Sequence, residues 1–229
     1  AILKHKGIIA NPNCSTIIMV MALKPIYDLA KIKRVIVSTY QAVSGAGKEG
    51  IDELDAQVRD HSEGREMTAN ILPSASAEKH YPIAFNLIPQ IDVFCDNLYT
   101  KEEMKMVNET KKIMEDYEMR ITATTIRVPV YRSHSESVNI ELEKEVDPGA
   151  MREALAKFPG VTVQDDPSKQ EYPMPLYTSE KDDVYVGRLR RDESCEKSYN
   201  IWVVGDQIRK GAALNTLQIA ETMIKNGWI

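Results

Sequence analysis

A polar turn followed directly by a long apolar helical pattern constrains the first thirty residues of the chain. A short apolar run at residues 8–10 leads to the turn Asn-Pro-Asn at residues 11–13, and the helical pattern runs from Cys14 to about Ala30. Asn13 suits the N-cap position, because its side chain can accept a hydrogen bond from a free backbone N–H of the first turn. The pattern therefore predicts a helix that begins at Cys14.

The position of Cys14 suggests two different roles. The positive end of a helix favours an anion, so a thiol among unpaired N–H groups there has a lowered pKa and becomes a competent nucleophile. The alternative is a small buried apolar residue, which is the commonest fate of a free cysteine. The local pattern leaves both interpretations open.

Composition and charge exclude several classes of protein. The 229 residues are 43% hydrophobic, which suits one sizeable globular domain or two small ones. The net charge of −5 is spread over interspersed acidic and basic residues, so no nucleic-acid or membrane surface is expected. Three cysteines, an odd and sparse set, indicate a reducing compartment, with no disulfide framework and no zinc-ligand spacing. We expect a cytoplasmic protein without a metal site.

The periodicity of apolar residues predicts an α+β fold. A mixed, largely antiparallel sheet with helices on one face is expected, because long strands and helices occur without regular alternation. Thr100 and Glu103 form a capping-box pattern, and Asp147-Pro148 is typical of a helix start. The predicted helices are 14–30, 51–61, 101–117, 149–158 and 209–226, and the predicted strands are 34–40, 120–131, 135–143, 161–163, 184–190 and 199–204, with residues 62–98 irregular.

A glycine-rich segment follows the first predicted strand. Residues 45–50 read GAGKEG and match G-x-G-x-x-G between a strand and a helix, the context of a dinucleotide-binding turn. Residues 40–44 separate the apolar strand from Gly45, however, whereas a Rossmann turn is tight. A loop that lets the backbone approach a ligand and a plain flexible turn both remain open.

Two further groups of polar residues could carry chemistry. Arg127 could hold a carboxylate with two hydrogen bonds, and His134 could act as a general base. The alternative is a surface strand with solvated charges. Glu102 and Lys105, three residues apart on a helix, could likewise be an exposed pair worth a few tenths of a kcal/mol.

Four segments, in this order and spacing, resemble the aspartate-semialdehyde dehydrogenases. They are residues 11–16 (NPNCST), 38–47 (STYQAVSGAG), 127–136 (RVPVYRSHSE) and 205–213 (GDQIRKGAA). The resemblance implies a fold like the C-terminal domain of glyceraldehyde-3-phosphate dehydrogenase. It also assigns the glycine-rich loop to the active site, at the far end of the cofactor.

The resemblance also implies a division of the chain. The sequence does not begin with Met, and residues 1–13 are interpreted as the end of an NADP-binding domain that is otherwise absent. Residues 14–207 would form the catalytic and dimerisation domain. Residues 208–229 would form a helix that packs on the NADP-binding domain and exposes its apolar face here, made by Ala213, Leu217, Ala220 and Ile224.

The reaction implied by the resemblance is the NADPH-dependent reductive dephosphorylation of aspartyl phosphate to aspartate semialdehyde, in lysine, threonine and methionine biosynthesis. Cys14 would form a thioester as phosphate leaves, with His134 as general acid/base and Gln41 orienting the carbonyl. The remaining assignments follow from the same resemblance. Arg127 would bind the substrate carboxylate, Glu102 its ammonium and Lys105 its phosphate, while Gln207, Ser44 and Gly45 would contact the nicotinamide part of NADP.

A homodimer or homotetramer is implied as well. Other acyl-phosphate or acyl-CoA reductases, such as N-acetylglutamyl-phosphate reductase and malonyl-CoA reductase, remain alternatives. So does a non-catalytic dimerisation module, because this piece alone is expected not to transfer hydride.

Overall fold

The protein, described here over residues 2–229 by a computed structural model, is built on one six-stranded mixed sheet. The helices are α1 (Cys14–Leu29), α2 (Lys48–Ser62), α3 (Lys101–Met114), α4 (Pro148–Lys157), α5 (Pro175–Thr178) and α6 (Leu214–Lys225). The strands are β1 (Ile32–Gln41), β2 (Arg120–Arg127), β3 (His134–Leu142), β4 (Val161–Val163), β5 (Val184–Arg191) and β6 (Ser198–Gly205). Within this part of the chain, no helix combines the length and apolarity needed to cross a membrane.

The strand order is β2-β1-β3-β6-β5-β4. The pairs β1–β2 and β4–β5 are parallel, and the other three pairs are antiparallel. This confirms the predicted fold class. The register also brings strand ends together: Gln41 pairs with Arg127, and His134 pairs with Gly205. One end of the sheet therefore collects the polar residues Gln41, Arg127 and His134 from three strands, with Gly205 of β6 beside them.

Helix α1 forms the centre of the core. It packs against α3 and α4 and covers the sheet face that carries Val35 and Val37. Ile18, Leu23 and Ile26 of α1 are fully buried. Burying each such side chain contributes about 1.5–3 kcal/mol, so the start of α1 is held firmly against the sheet.

Three predicted boundaries differ from the structure by about three residues or more, and the local backbone explains each of them. Strand β2 ends at Arg127 instead of continuing to residue 131, because Pro129 has no N–H for a sheet ladder. Helix α3 ends at Met114, since Glu115 adopts a left-handed conformation with φ 54°. Helix α2 begins three residues early, at Lys48, after Gly47 with φ 85°. The predicted closing helix begins with a π-helical turn, Arg209–Ala213, before α6.

Candidate active site

Cys14 is the first residue of α1, as predicted. The Asn13 side chain accepts a hydrogen bond from the Thr16 N–H (3.1 Å), so Asn13 is the N-cap. The Asn13 backbone N–H in turn donates to Glu109 Oε2 (2.7 Å). The hydrogen bonds of Asn13 thus fix the start of α1 and, with it, the position of the Cys14 side chain.

The thiol does not have the lowered pKa that the helix position suggested. Burial, followed by the negative charge of Glu102, raises the pKa of Cys14 to about 12, against smaller opposing effects of the Ser15 N–H and Arg127. A helix terminus contributes only about 0.3–1 kcal/mol, which desolvation outweighs here. Burial therefore favours the neutral thiol in the unliganded chain, the opposite of the lowered pKa that the helix position alone would give.

Glu102 and Gln41 belong to one buried network beside Cys14. Gln41 Nε2 donates to Ser15 Oγ (2.6 Å) and to Glu102 Oε1 (3.2 Å), and Asn13 Nδ2 donates to the same oxygen (2.8 Å). Glu102 is only 6% exposed. Glu102 is therefore not an exposed residue, as the alternative of an exposed Glu102–Lys105 pair required.

Lys105 lies at the solvent side of this network. Its Nζ is 3.3 Å from Asp92 Oδ2 and 3.6 Å from Glu102 Oε2, and its side chain is half exposed. Desolvation lowers the pKa of Lys105, but Glu102 and Asp92 together raise it above its ordinary value. The site therefore has a permanent cation at its solvent side.

His134 is fully buried and has a defined orientation. Its Nδ1 accepts a hydrogen bond from the Ala42 N–H (3.0 Å), while Nε2 has no partner within residues 2–229. Because Nδ1 is the acceptor, the neutral ring carries its hydrogen on Nε2. Burial and then the charge of Arg127 lower the pKa of His134 well below its usual range. The histidine is therefore neutral and presents a free donor.

Arg127 lies next to this histidine and is 2% exposed. Nη1 donates to the Ala42 carbonyl (2.8 Å) and Nη2 to the Pro73 carbonyl (3.4 Å), whereas Nε is unpaired within the described chain. Burial lowers the pKa of Arg127 to about 10, against the charges of Glu102 and Cys14, so the guanidinium remains charged at neutral pH. A Cβ at Gly45 would stand 2.7 Å from Nη1 and 3.4 Å from His134 Nε2, so this glycine keeps the space between them open.

Gln207 is positioned on the other side of the nucleophile. Its Oε1 accepts from the Ser133 N–H (2.9 Å), and its Nε2 donates to Ser44 Oγ. A Cβ at Gly211, in the π-helical turn, would lie 3.0 Å from Cys14 Cβ and 3.3 Å from Gln207 Cβ. The turn therefore seats Gln207 directly against the start of α1.

The glycine-rich segment does not form a tight strand–turn–helix. Residues Val43–Ala46 form a 3-10 turn, Gly47 caps α2 with φ 85°, and a Cβ at Gly50 would meet the Val43 carbonyl at 2.5 Å. Gly47 and Gly50 are thus required for different steric reasons. This geometry favours the active-site loop over a dinucleotide fingerprint.

Comparison with known proteins agrees with this geometry. The family described as semialdehyde dehydrogenase, dimerisation domain, matches residues 23–210. The chain belongs to this family. It is 55% identical over 226 residues to an aspartate-semialdehyde dehydrogenase of Aquifex aeolicus (strain VF5), covering 99% of the chain and 65% of that relative. The aspartate-semialdehyde dehydrogenase of Bacillus subtilis (strain 168) is 52% identical, with 97% and 64% covered.

Solved structures place the fold in the same group. Aspartate semialdehyde dehydrogenase II of Vibrio cholerae, complexed with ASA, superposes with a TM-score of 0.88 at 45% identity, covering 95% of this chain and 62% of that one. The Candida albicans enzyme, solved with NADP, shares the fold at 24% identity and a TM-score of 0.67. The chain thus spans somewhat less than two thirds of the length of these relatives, and the sequence resemblance to the family is confirmed.

Sequence reasoning missed several residues that build the site. Asn13 was recognised only as a cap, and its contacts with Glu102 and Glu109 join segments about ninety positions apart. No spacing within α1 could have indicated these contacts. Gly211 lies within a segment that was recognised, but its steric role against Cys14 depends on the π-helical turn. Glu136, two residues after His134, was not assigned any role.

Proposed function

We propose that the protein carrying this chain reduces L-aspartyl 4-phosphate to L-aspartate 4-semialdehyde and phosphate with NADPH, in the biosynthesis of lysine, threonine and methionine. The observation that carries the proposal is the meeting of three groups at one sheet edge. The neutral His134 and the buried Arg127, with its free Nε–H, border the space left by Gly45, and Arg127 also acts electrostatically on Cys14 at the start of α1. Such a set suits an acyl phosphate that bears a carboxylate.

Substrate recognition is divided among three charged residues. Arg127 would bind the α-carboxylate through the free donor on its guanidinium, which is already aligned by two backbone carbonyls. Glu102 would bind the ammonium, and Lys105, at the solvent side, would bind the phosphate. Gln41 would hold the reacting carbonyl, since its amide is fixed by Ser15 and Glu102.

The chemistry would begin with the Cys14 sulfur attacking the acyl carbon. The bond to the phosphate oxygen breaks, phosphate leaves, and a thioester remains on Cys14. The thiol proton would pass to His134, whose ring must then give up the bond from Ala42. In the reductive half, a hydride would add to the thioester carbon, and the free Nε2–H of His134 would give its proton to the oxygen, which becomes the hemithioacetal hydroxyl. The hydroxyl proton would then pass through His134 to the sulfur as the carbon–sulfur bond breaks, which releases the aldehyde and restores the Cys14 thiol.

The nicotinamide end of NADP would lie beside Gln207. Each polar atom of the Gln207 amide makes one hydrogen bond in the described chain, so one N–H and one lone pair remain for a carboxamide. Ser44 and the backbone of Gly45 would add contacts next to it. The cofactor, when bound, supplies the hydride.

The thioester half of the reaction can be tested on the 229-residue chain. Incubation with aspartyl phosphate followed by acid quench should add an aspartyl group to the peptide that contains Cys14, as measured by mass spectrometry. A Cys14→Ser variant should show no thioester, and Cys195→Ser is the matched control that should behave as wild type. Equal acylation by N-acetylglutamyl phosphate, or by malonyl-CoA alone, would assign the site to another reductase.

The domain roles extend the same proposal. Residues 1–13 would end an NADP-binding domain, residues 14–207 would form the catalytic and dimerisation domain of a cytoplasmic homodimer or homotetramer, and residues 208–229 would pack on the NADP-binding domain. The family description supports dimerisation. The exposure of Leu217 (56%) and Ile224 (65%) on α6 supports the last part. Light scattering of the purified chain tests its assembly; a monomer at high micromolar concentration would contradict it.

A further inference from the structure

The segment between α2 and α3 is long and irregular, and two side chains of α2 hold its backbone. Residues 63–100 contain no helix or strand, and a loop of that length in a compact domain is usually either functional or disordered. Buried backbone N–H groups need acceptors, which most of this segment does not obtain from the sheet. Glu53 and Gln57, one helical turn apart on the buried face of α2, supply such acceptors.

Glu53 accepts three hydrogen bonds from consecutive residues of this segment. The N–H groups of Asn70 and Ile71 donate to Oε2 (2.6 and 2.9 Å), and that of Leu72 donates to Oε1 (3.1 Å). The carboxylate is only 9% exposed. An ionised carboxyl group accepts at both oxygens, and its hydrogen bonds are roughly twice as strong as neutral ones. Glu53 therefore fixes the main chain that leads directly into Pro73.

Gln57 holds the segment at a second place. It is fully buried, its Oε1 accepts from the N–H groups of Ile83 (2.8 Å) and Ala84 (3.0 Å), and its Nε2 donates to the Thr68 carbonyl (2.8 Å). Ile83 and Ala84 also belong to a second buried apolar cluster, which includes Val43 of the loop after β1. Helix α2 thus ties this stretch to the loop that borders the candidate site.

Both of the stretches that α2 holds lead to Arg127. The Pro73 carbonyl accepts from Arg127 Nη2 (3.4 Å), and Ile88 exchanges two backbone hydrogen bonds with Arg127 (2.9 and 3.1 Å). The Nε atom of this arginine is buried without a partner within residues 2–229, so its direction depends on what holds the rest of the side chain and its backbone. A displacement of either stretch would therefore turn the guanidinium.

We propose that Glu53 and Gln57 are positioning residues for Arg127. By fixing the chain before Pro73 and before Ile88, they keep the free Nε–H of Arg127 directed at the carboxylate of the substrate, which neither of them would touch. The inference rests on the proposed function in taking Arg127 as the carboxylate ligand. One measurement is therefore made on Arg127 without substrate, and a second one with it.

The first measurement is the nuclear magnetic resonance signal of the Arg127 Nε–H group in the unliganded 229-residue chain. The signal is assigned by its loss in Arg127→Lys. It should shift in Glu53→Gln, because one end of a glutamine amide is a donor and cannot accept from backbone N–H groups. Glu49→Gln, an exposed change on the same helix, is the matched control and should leave the signal in place. The signal of Arg152 Nε–H in α4, which donates to Asp165 (2.7 Å), should not move in any of these variants.

The second measurement compares the acylation of Cys14 by aspartyl phosphate with its acylation by β-alanyl phosphate, which lacks the α-carboxylate. Glu53→Gln and Gln57→Leu should each slow acylation by aspartyl phosphate about tenfold, and both should leave acylation by β-alanyl phosphate unchanged. A role in the fold alone would lower the two rates equally, so this readout separates positioning from support.

Three outcomes would overturn the proposal. They are an Arg127 signal that stays in place in Glu53→Gln, equal losses of rate with both acyl phosphates, and variants of Glu53 and Gln57 that no longer fold, since the two residues would then only support the structure. A wild-type chain that uses both acyl phosphates equally would instead contradict the carboxylate role of Arg127 in the proposed function. In that case the resonance signal alone decides whether Glu53 positions Arg127.

Discussion

A Cβ atom at Gly45 would stand 2.7 Å from Nη1 of Arg127, closer than real Cβ contacts allow. The loop that carries Gly45 is tied to the same region through the hydrogen bonds of Ala42, whose N–H meets His134 and whose carbonyl meets Arg127. The same loop thus provides the space at Gly45 and orients the side chains of His134 and Arg127. The loop after β1 is part of the site and not only a connection to α2.

The Gly45→Ala substitution should therefore damage the site more than the fold. The new methyl group displaces the guanidinium and narrows the space in front of His134, and such misplacement can lower rates by on the order of 100-fold. Gly45 is exposed, so the thermal midpoint should change little. The measurement is the rate of Cys14 acylation by aspartyl phosphate, with Ala46→Ser as the neighbouring control. If Cys14 is acylated at the wild-type rate in the Gly45→Ala variant, the site does not need the space that the glycine leaves.

In the full-length enzyme, Arg127→Lys should impair the use of aspartyl phosphate far more than it lowers stability. Lysine keeps the charge but loses the planar guanidinium, which now donates to the Ala42 and Pro73 carbonyls and has its Nε–H free for a further acceptor. We expect kcat/KM to fall by a factor that corresponds to about 1.5–3 kcal/mol of lost transition-state stabilisation, which is the usual contribution of a charge-assisted hydrogen bond. Arg120→Lys, at the exposed start of the same strand, is the control and should have no effect. Unchanged kinetics for Arg127→Lys would remove the carboxylate role.

The sequence was sufficient for what depends on local pattern. The cap at Asn13, the capping box at Thr100 and the start of α4 at Pro148 were all predicted, because each depends on residues within one helical turn. The pKa of Cys14 could not be predicted in this way. It depends on how deeply the sheet and α3 bury the thiol, and on Glu102, eighty-eight positions away, so the local helix effect gave the wrong direction.

The thiol should remain protonated across the neutral range in the unliganded chain. With a pKa of about 12 for Cys14, thiolate forms only at strongly alkaline pH, and the neutral His134 supplies no charge to stabilise it. The difference in thiolate ultraviolet absorbance between wild type and Cys14→Ser should therefore be absent at pH 7 and grow only as pH rises toward 12. A thiolate signal that saturates below pH 7 would show a preformed thiolate–imidazolium pair instead.

Glu136→Gln should stabilise the fold at neutral pH. The pKa of this buried carboxyl is raised in the folded state, so its favourable contribution is complete below the unfolded value near 4.5 and is lost as pH rises. The variant should be more stable than wild type at pH 8 by on the order of 1 kcal/mol, which is about 2–4 °C in Tm. The gain should shrink toward zero at pH 4. A pH-independent difference between the two proteins would indicate a packing effect instead.

Gly211→Ala should slow the chemistry of Cys14, because the added methyl group would press against the Cβ atom of the nucleophile. Its methyl group would lie 3.0 Å from Cys14 Cβ and 3.3 Å from Gln207 Cβ, and both neighbours are held by backbone that cannot move freely. Cys14 opens α1, and Gln207 follows Asp206, whose carboxylate accepts hydrogen bonds from the Ile208 and Arg209 N–H groups.

Because the neighbours of Gly211 must give by a few tenths of an ångström, the sulfur should shift relative to Arg127. We expect acylation of Cys14 to fall about tenfold or more. Ala213→Ser, an equally small change at the exposed end of the same turn, should retain the wild-type rate. If Gly211→Ala acylates normally while its thermal midpoint falls, the π-helical turn supports the fold and does not position the nucleophile.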